Sequence, residues 1–324
     1  MANSMTTITS SYGGEGALPY IAPAILSADS IANGYITVKE NVKKSLALKK
    51  LDGSEIKAYA CDFNATADTL TLSEAVLTPT ELMQNIELCK SDYRDDFEAM
   101  ATGRGFINSQ IPPNFQSFLL LYLAERVSEA IEKNIWHGNY NETTGATTGG
   151  SAVTNFGGIL AAIVAGTPGD ETEVAGAFTG DDAAATGILT HLDSLCTGAP
   201  NSIQGDARTV VYMSRKSLYL LQRAMSGFVT TSGGISPTFA GEARPMTYMG
   251  YNIIVPNGFP NDTLVIGQVA NFYFGTDLVS DFNQAVVVDM TETDASDNVR
   301  IRMQFTGATQ VAFLGDVGVV RRTS

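Results

Sequence analysis

Between Pro113 and Gly138 the chain repeats its apolar residues with the period of a helix, and no other stretch constrains the fold as much. Phe115, Phe118, Leu119, Tyr122, Leu123, Val127, Ala130, Ile131 and Ile135, together with Arg126, recur at helical spacing. Pro112-Pro113 pre-sets the first turn, Asn114 can cap it, and Gly138 stops the run. At 1.5 Å per residue such a helix spans roughly 36 Å, about the width of a small domain. Its outer side carries Glu129 and Lys133 as an i,i+4 pair. The stripe of Phe115, Leu119, Tyr122, Leu123, Val127 and Ile131 needs a covering layer, so the helix reads as a spine.

The last 40 or so residues read as β. Ala285 to Met290 and Val299 to Phe305 are joined by an acidic turn, and Val299, Ile301, Met303 and Phe305 alternate with Arg300, Arg302 and Gln304. One face of this hairpin is buried and the other basic. Gln310 to Leu314 is the candidate for a third strand before Arg321-Arg322.

The rest mixes both element types, which makes the fold class α+β. The first 44 residues, rich in Gly, Ser, Thr and Ala and without a sustained period, predict an extended arm. From Ser45 to Val76, strand-like runs Ile56 to Phe63 and Thr69 to Val76 flank the turn-prone Asn64-Ala-Thr-Ala-Asp68 and predict a protruding β-hairpin. Its tip is small and polar, while its arms carry β-formers such as Ile56, Tyr59, Phe63, Leu70 and Leu72. A lone two-stranded ribbon is not stable in water, so a neighbour must supply contacts. Leu82 to Tyr93 fits strand or helix. Asn139 to Ser151 and Thr167 to Thr186 read as surface loops. A helix is expected from Ala183 to Cys196, a buried strand at Arg208 to Met213, and an amphipathic helix with Leu218, Leu221, Ala224 and Met225 on one face. Tyr251 to Val255 and Thr263 to Ile266 read as further strands.

Composition limits the function. The 324 residues hold 20 Lys and Arg against 34 Asp and Glu, a formal net charge of -14, which argues against gripping nucleic acid by its phosphates. Charged residues make up only 17%, against roughly 25% in an ordinary soluble domain. Charge depletion marks the buried centre of interfaces, so assembly with copies of itself is the first expectation. Three cysteines, Cys61, Cys89 and Cys196, suggest neither a disulfide framework nor a zinc knuckle. Pro19 and Pro23 interrupt the best N-terminal apolar run, so neither a signal peptide nor a membrane span is expected.

Catalytic material is scarce. His137 and His191 are the only histidines, which leaves little for a nucleophilic triad or a histidine metal site, and His137 beside Trp136 reads as structural. Gly103-Arg-Gly105 begins a dinucleotide fingerprint that Asn108 breaks, and it reads as a loop. The carboxylates from Asp289 to Asp297 lack the Gly and terminal Glu of an EF-hand and read as a solvated turn. No enzyme, cofactor or metal is expected.

The order of elements resembles the major capsid protein of tailed bacteriophages, the Hong Kong 97-type capsid fold. An arm is followed by the hairpin, the spine from Asn114 to Gly138, a Gly/Thr loop, the strand Thr209 to Ser214 with its helix, the stretch Tyr248 to Pro256, the strand Thr263 to Gly267, and the terminal β-hairpin. The resemblance implies an arm at 1–44, an extended hairpin loop at 45–80, a peripheral domain from 81–140 and 282–324, and an axial domain at 141–281. Leu119, Leu123 and Val127 would then face the terminal sheet. Ile56, Tyr59, Phe63, Asn64, Asp68, Leu70 and Leu72 would belong to the hairpin reaching over a neighbouring subunit. It further implies self-assembly into hexamers and pentamers of an icosahedral head shell that encloses double-stranded DNA without binding it specifically, located in the virion and assembled in the host cytoplasm, with no membrane. A separate scaffolding protein, a portal and decoration proteins are the implied partners. Covalent cross-linking, known in part of the family, would need a Lys, an Asn and a carboxylate meeting across subunits, with Lys49, Lys50 and Lys57 the lysines of the hairpin region. A bacterial encapsulin-type nanocompartment shell of the same fold is the alternative, and a soluble hydrolase is the weakest reading for want of a nucleophile and base.

Overall fold

The computed structural model describes residues 10–13, 25–52, 61, 71–89, 113–142, 144–147, 156–180, 187–231, 246–277, 283–292, 296 and 298–323. In chain order these form β1 (Ser10–Gly13), the short α1 (Asp29–Ala32), β2 (Thr37–Lys39), β3 (Leu46–Asp52), β4 (Thr71–Leu77), β5 (Thr80–Cys89) and the long α2 (Pro113–His137). There follow α3 (Ile159–Ala165), β6 (Asp170–Ala175), α4 (Ile188–Thr197), β7 (Thr209–Met213) and α5 (Arg215–Thr231). The last strands are β8 (Met246–Tyr248), β9 (Tyr251–Ile254), β10 (Thr263–Gln268), β11 (Phe272–Gly275), β12 (Gln284–Asp289), β13 (Asn298–Val311) and β14 (Gly318–Thr323). Helix and sheet are mixed, as the sequence predicts.

β13 organises the first sheet. It pairs antiparallel with β12, with β5 from Asn298↔Cys89 to Gly307↔Thr80, and with β11 at its far end; β1 extends β12, and β2 runs parallel to β11. Val299, Ile301 and Met303 are buried while Arg300 and Arg302 are exposed, the alternation a one-sided sheet requires. β5 has the same alternation. Leu82, Ile86 and Leu88 pack on the core, whereas Glu81, Met83, Asn85 and Glu87 face out, which settles the ambiguous 82–93 stretch as strand over its described part.

α2 packs its stripe on this sheet and on α3. Leu120, Leu123, Ala124, Val127, Ile131 and Ile135 are buried in one core with Ile301 and Met303. Full burial of a side chain such as Leu123 is worth about 1.5–3 kcal/mol. Tyr122, expected on the stripe, lies outside it and is 45% exposed. The stripe follows 120, 123/124, 127 and 131, so Leu120 occupies the place assigned to Tyr122. The side chains of Phe115 and Leu119 are outside the described residues. The helix ends where Gly138 meets Gly158: the Gly158 amide donates to the Gly138 carbonyl at 2.8 Å, and a Cβ on Gly158 would lie 2.5 Å from the Gly138 nitrogen.

The second sheet runs β6-β14-β10-β7-β9-β8 and is covered on both faces. Val210, Tyr212, Val265 and Val319 point into the core shared with α2, while Val211, Met213, Leu264, Ile266 and Val320 join Leu192 and Leu195 of α4 and Leu221 of α5. Near-continuous apolar runs are what two buried faces demand.

Three expectations are corrected. Residues 25–39 of the supposed arm are docked, with Ile25, Ile31 and Ile36 buried in the main core and β2 in the first sheet. The expected loop at 167–186 contains β6, an edge strand parallel to β14 whose outward residues are acidic and so carry no apolar signal. Finally, the strands cross the implied division into 141–281 and 282–324: β11 belongs to the first sheet, and β14 lies inside the second. Each is held there by burial, Phe272 and Phe274 with the spine and Val320 with α4.

Trp136 joins the two sheets. Its ring is fully buried 5.2 Å from Tyr212, 5.0 Å from Phe259 and 6.4 Å from Phe272. Its indole nitrogen donates to Ser30 Oγ at 2.8 Å, which fastens α1 to the same point.

Candidate assembly surface

The histidines are wholly or partly buried in the fold. Burial lowers the pKa of both; His191 stacks 5.0 Å from the Phe178 ring, and His137 is half-buried at the end of α2. None of the three cysteines is in a disulfide among the described residues, and burial, aided by Asp193, pushes the Cys196 thiol up to about 11. Among the described residues no group of His, Cys, Asp and Glu could hold a metal ion, and no helix is long and apolar enough to cross a membrane.

The hairpin of β3 and β4 has two faces of different character. Antiparallel partners share a face, so the register Leu46↔Leu77, Leu48↔Ala75 and Lys50↔Ser73 sets one side, and Ala47↔Val76, Lys49↔Glu74 and Leu51↔Leu72 the other. The first side is the root. Leu77 is fully buried against Gly275 and packs with Val42 and Ala308, and Lys50 Nζ lies 2.7 Å from Asp316 Oδ2 and 5.2 Å from the Phe313 ring centroid. Burial pushes the Asp316 pKa up, but hydrogen bonds from Lys50 and Ser202 outweigh it and hold the carboxyl below its usual value. Lys50 is therefore engaged within its own subunit.

The second side is the exposed one among the described residues. Leu51 is 61%, Leu72 58% and Val76 47% exposed, a leucine pair and a valine on the outside of a two-stranded ribbon. Exposed apolar strips of this kind mark interaction sites. The described strand opposite β4 is Leu46–Asp52, whose Leu46 and Leu48 lie at the root, while the expected strand 56–63 lies outside the described residues except for Cys61. Ile56, Tyr59, Phe63, Asn64, Asp68 and Leu70 lie outside the described residues. A smaller patch on α2 pairs exposed Leu121 with Tyr122, whose ring Arg126 covers at 5.2 Å.

Sequence reasoning missed Glu132. It lies on the buried arc of α2, 5% exposed, accepting from the Ser30 amide at 2.8 Å and from Ser30 Oγ at 2.7 Å. With Asp29 and Lys133 it lines an open cleft of about 460 Å3. A carboxylate one residue past Ile131 on an apolar face was the available signal.

Solved structures give the fold. A chain of the satellite phage P4 procapsid including size determination (Sid) protein superposes with a TM-score of 0.58 at 13% identity, over 94% of this chain and 99% of that one. The capsid of an empty GTA particle gives 0.52 at 14% identity, over 92% and 90%. The capsid of cyanophage P-SCSP1u gives 0.52 at 14% identity, over 91% and 88%. Neither a family model nor a curated protein matches the sequence. The chain therefore has a phage capsid fold. More particularly, it is the fold of phage major capsid proteins, carried along nearly its whole length.

Proposed function

We propose that the chain is a capsid subunit that assembles with copies of itself into the head shell of a phage, around double-stranded DNA. The likeness over nearly the full length of both chains carries this reading. In the Hong Kong 97-type arrangement, subunits gather as hexamers and pentamers, with an axial domain centred on the second sheet and a peripheral domain built from the spine and the first sheet. The hairpin, including Ile56, Tyr59, Phe63, Asn64, Asp68, Leu70 and Leu72, clamps a neighbouring subunit. Exposed Leu51, Leu72 and Val76 support that role, since a neighbour would cover them. A net charge of -14 lets packaged DNA pass without adhering. Scaffolding, portal and decoration proteins complete the proposal, with assembly in the host cytoplasm and residence in the virion. It requires no catalysis.

Sedimentation and electron microscopy of the purified chain, with and without a scaffold, test it. Capsomers or closed shells are expected. A chain that stays monomeric across salt and concentration overturns the reading, and source particles filled with a protein cargo instead of DNA assign it to a nanocompartment.

A further inference from the structure

β13 carries two arginines on the face of the first sheet that turns away from the core. Arg302 stands between Val286 of β12 and Asn85 of β5, and Arg300 between Val288 and Glu87. Arg300 Nε donates to Glu87 at 3.3 Å, and Asn298 Nδ2 donates to the other oxygen of that carboxylate at 2.7 Å, so Arg300 is held in place. Arg302 is exposed and has no ion pair among the described residues. Half-buried Val286 and Val288 floor a trough of about 630 Å3 beside them. The face offers one tethered and one available guanidinium over an apolar floor.

That chemistry fits a carboxylate flanked by apolar side chains on an extended segment. A chain with 34 acidic residues against 20 basic ones sets like charges against each other when copies meet, which suppresses association unless a basic face intervenes. The same excess disfavours a nucleic-acid occupant, because phosphates would meet a repelling field around the two arginines. We propose that this sheet face is an interaction surface for a second copy of the chain, which presents a carboxylate to Arg302 and apolar side chains to Val286 and Val288. The inference rests on the shell reading and names one contact within it.

The test uses the full chain under conditions where the wild type forms shells. Arg302→Glu should lower the sedimenting fraction about tenfold or more. Arg302→Lys should retain most of it, and Lys43→Glu, an equal charge change at an exposed residue outside the trough, should leave it near wild type. The Tm of the isolated subunit should not move. Normal shells from Arg302→Glu overturn the contact while leaving the capsid reading intact, whereas a wild type that never assembles removes both. A lowered subunit Tm would place another segment of the same chain on the face, and a selective loss of binding to a duplex DNA fragment would place nucleic acid there. Either result overturns the proposal.

Discussion

Glu132 receives both hydrogen-bond donors of Ser30, its amide at 2.8 Å and its hydroxyl at 2.7 Å, across 102 residues of sequence. One carboxylate thereby holds α1 against the spine. No Lys, Arg or His pairs with it among the described residues, and Asp29 adds negative charge nearby. Burial is the largest influence and raises the Glu132 pKa, outweighing the Ser30 bonds that favour the ionised form.

The sign of the pH dependence follows. A carboxyl whose folded pKa is raised contributes its full share below the unfolded value of about 4.3, and loses it as pH rises through the folded value. Glu132→Gln can still accept from the Ser30 amide and donate to Ser30 Oγ, but it cannot ionise. The variant's Tm relative to wild type should therefore climb as pH is raised from about 4 to 8. A constant difference would remove Glu132 as the titrating group.

The spine should tolerate change on one side only. Leu123→Asp places an unpaired carboxylate at a position 1% exposed and should cost several kcal/mol, enough to unfold a domain whose total stability is about 5–15 kcal/mol. Tyr122→Ala, one residue away, loses an exposed cation–π contact worth about 0.5–1 kcal/mol. Chemical denaturation of the two variants checks the contrast; equal losses would mean that the helix is rotated from the position described.

Gly158→Ala should destabilise by about 1–3 kcal/mol, since the added methyl meets the Gly138 amide and the carbonyls of Asn134 and Trp136, all backbone atoms that cannot step aside. Gly157→Ala, next to it, has open space around the new methyl and should be near neutral. Thermal unfolding separates them.

The hairpin prediction separates folding from association. Asp52 and Thr71 are partners, so replacing residues 53–70 by Asn-Gly closes β3 and β4 with a two-residue turn they favour. The subunit should keep its Tm, because the buried root at Leu77 is untouched, while the shell fraction falls. Loss of both would put the segment in the subunit's own core; shells at normal yield would mean that it clamps nothing.

What could be read in advance depended on periodicity. α2 and β13 were legible because one face of each is buried along its described length, so the period is written in the residues, although exposed Leu121 and Tyr122 blurred which face of α2 that was. β6 was not, since an edge strand supported by backbone pairing with β14 needs no apolar side chains beyond Val174. The docking of 25–39 was hidden for a different reason. Ile25, Ile31 and Ile36 follow no period because they fill separate gaps in a core assembled by distant elements, and Glu132 is satisfied only once Ser30 arrives. The hairpin's existence was legible, its register was not: Leu46 and Leu48 look no more strand-like than Ile56 or Tyr59 until Leu77 and Ala75 are set opposite them. Among assembly features, the alternation Val299 to Phe305 announced a basic sheet face, but the apolar floor beside it came from β12.

β14 lies inside the second sheet, with β6 on one edge and β10 on the other. β6 therefore has no partner in that sheet until residues 318–323 exist, and the covered faces of Val319 and Val320 cannot close before then. During synthesis, β6 must wait through more than half of the described fold with its backbone unpaired, a long-range closure of the kind that slows folding. Ribosome-bound chains would thus lack the partner of β6, and leave this sheet open at Val319 and Val320, until residues 318–323 had been made.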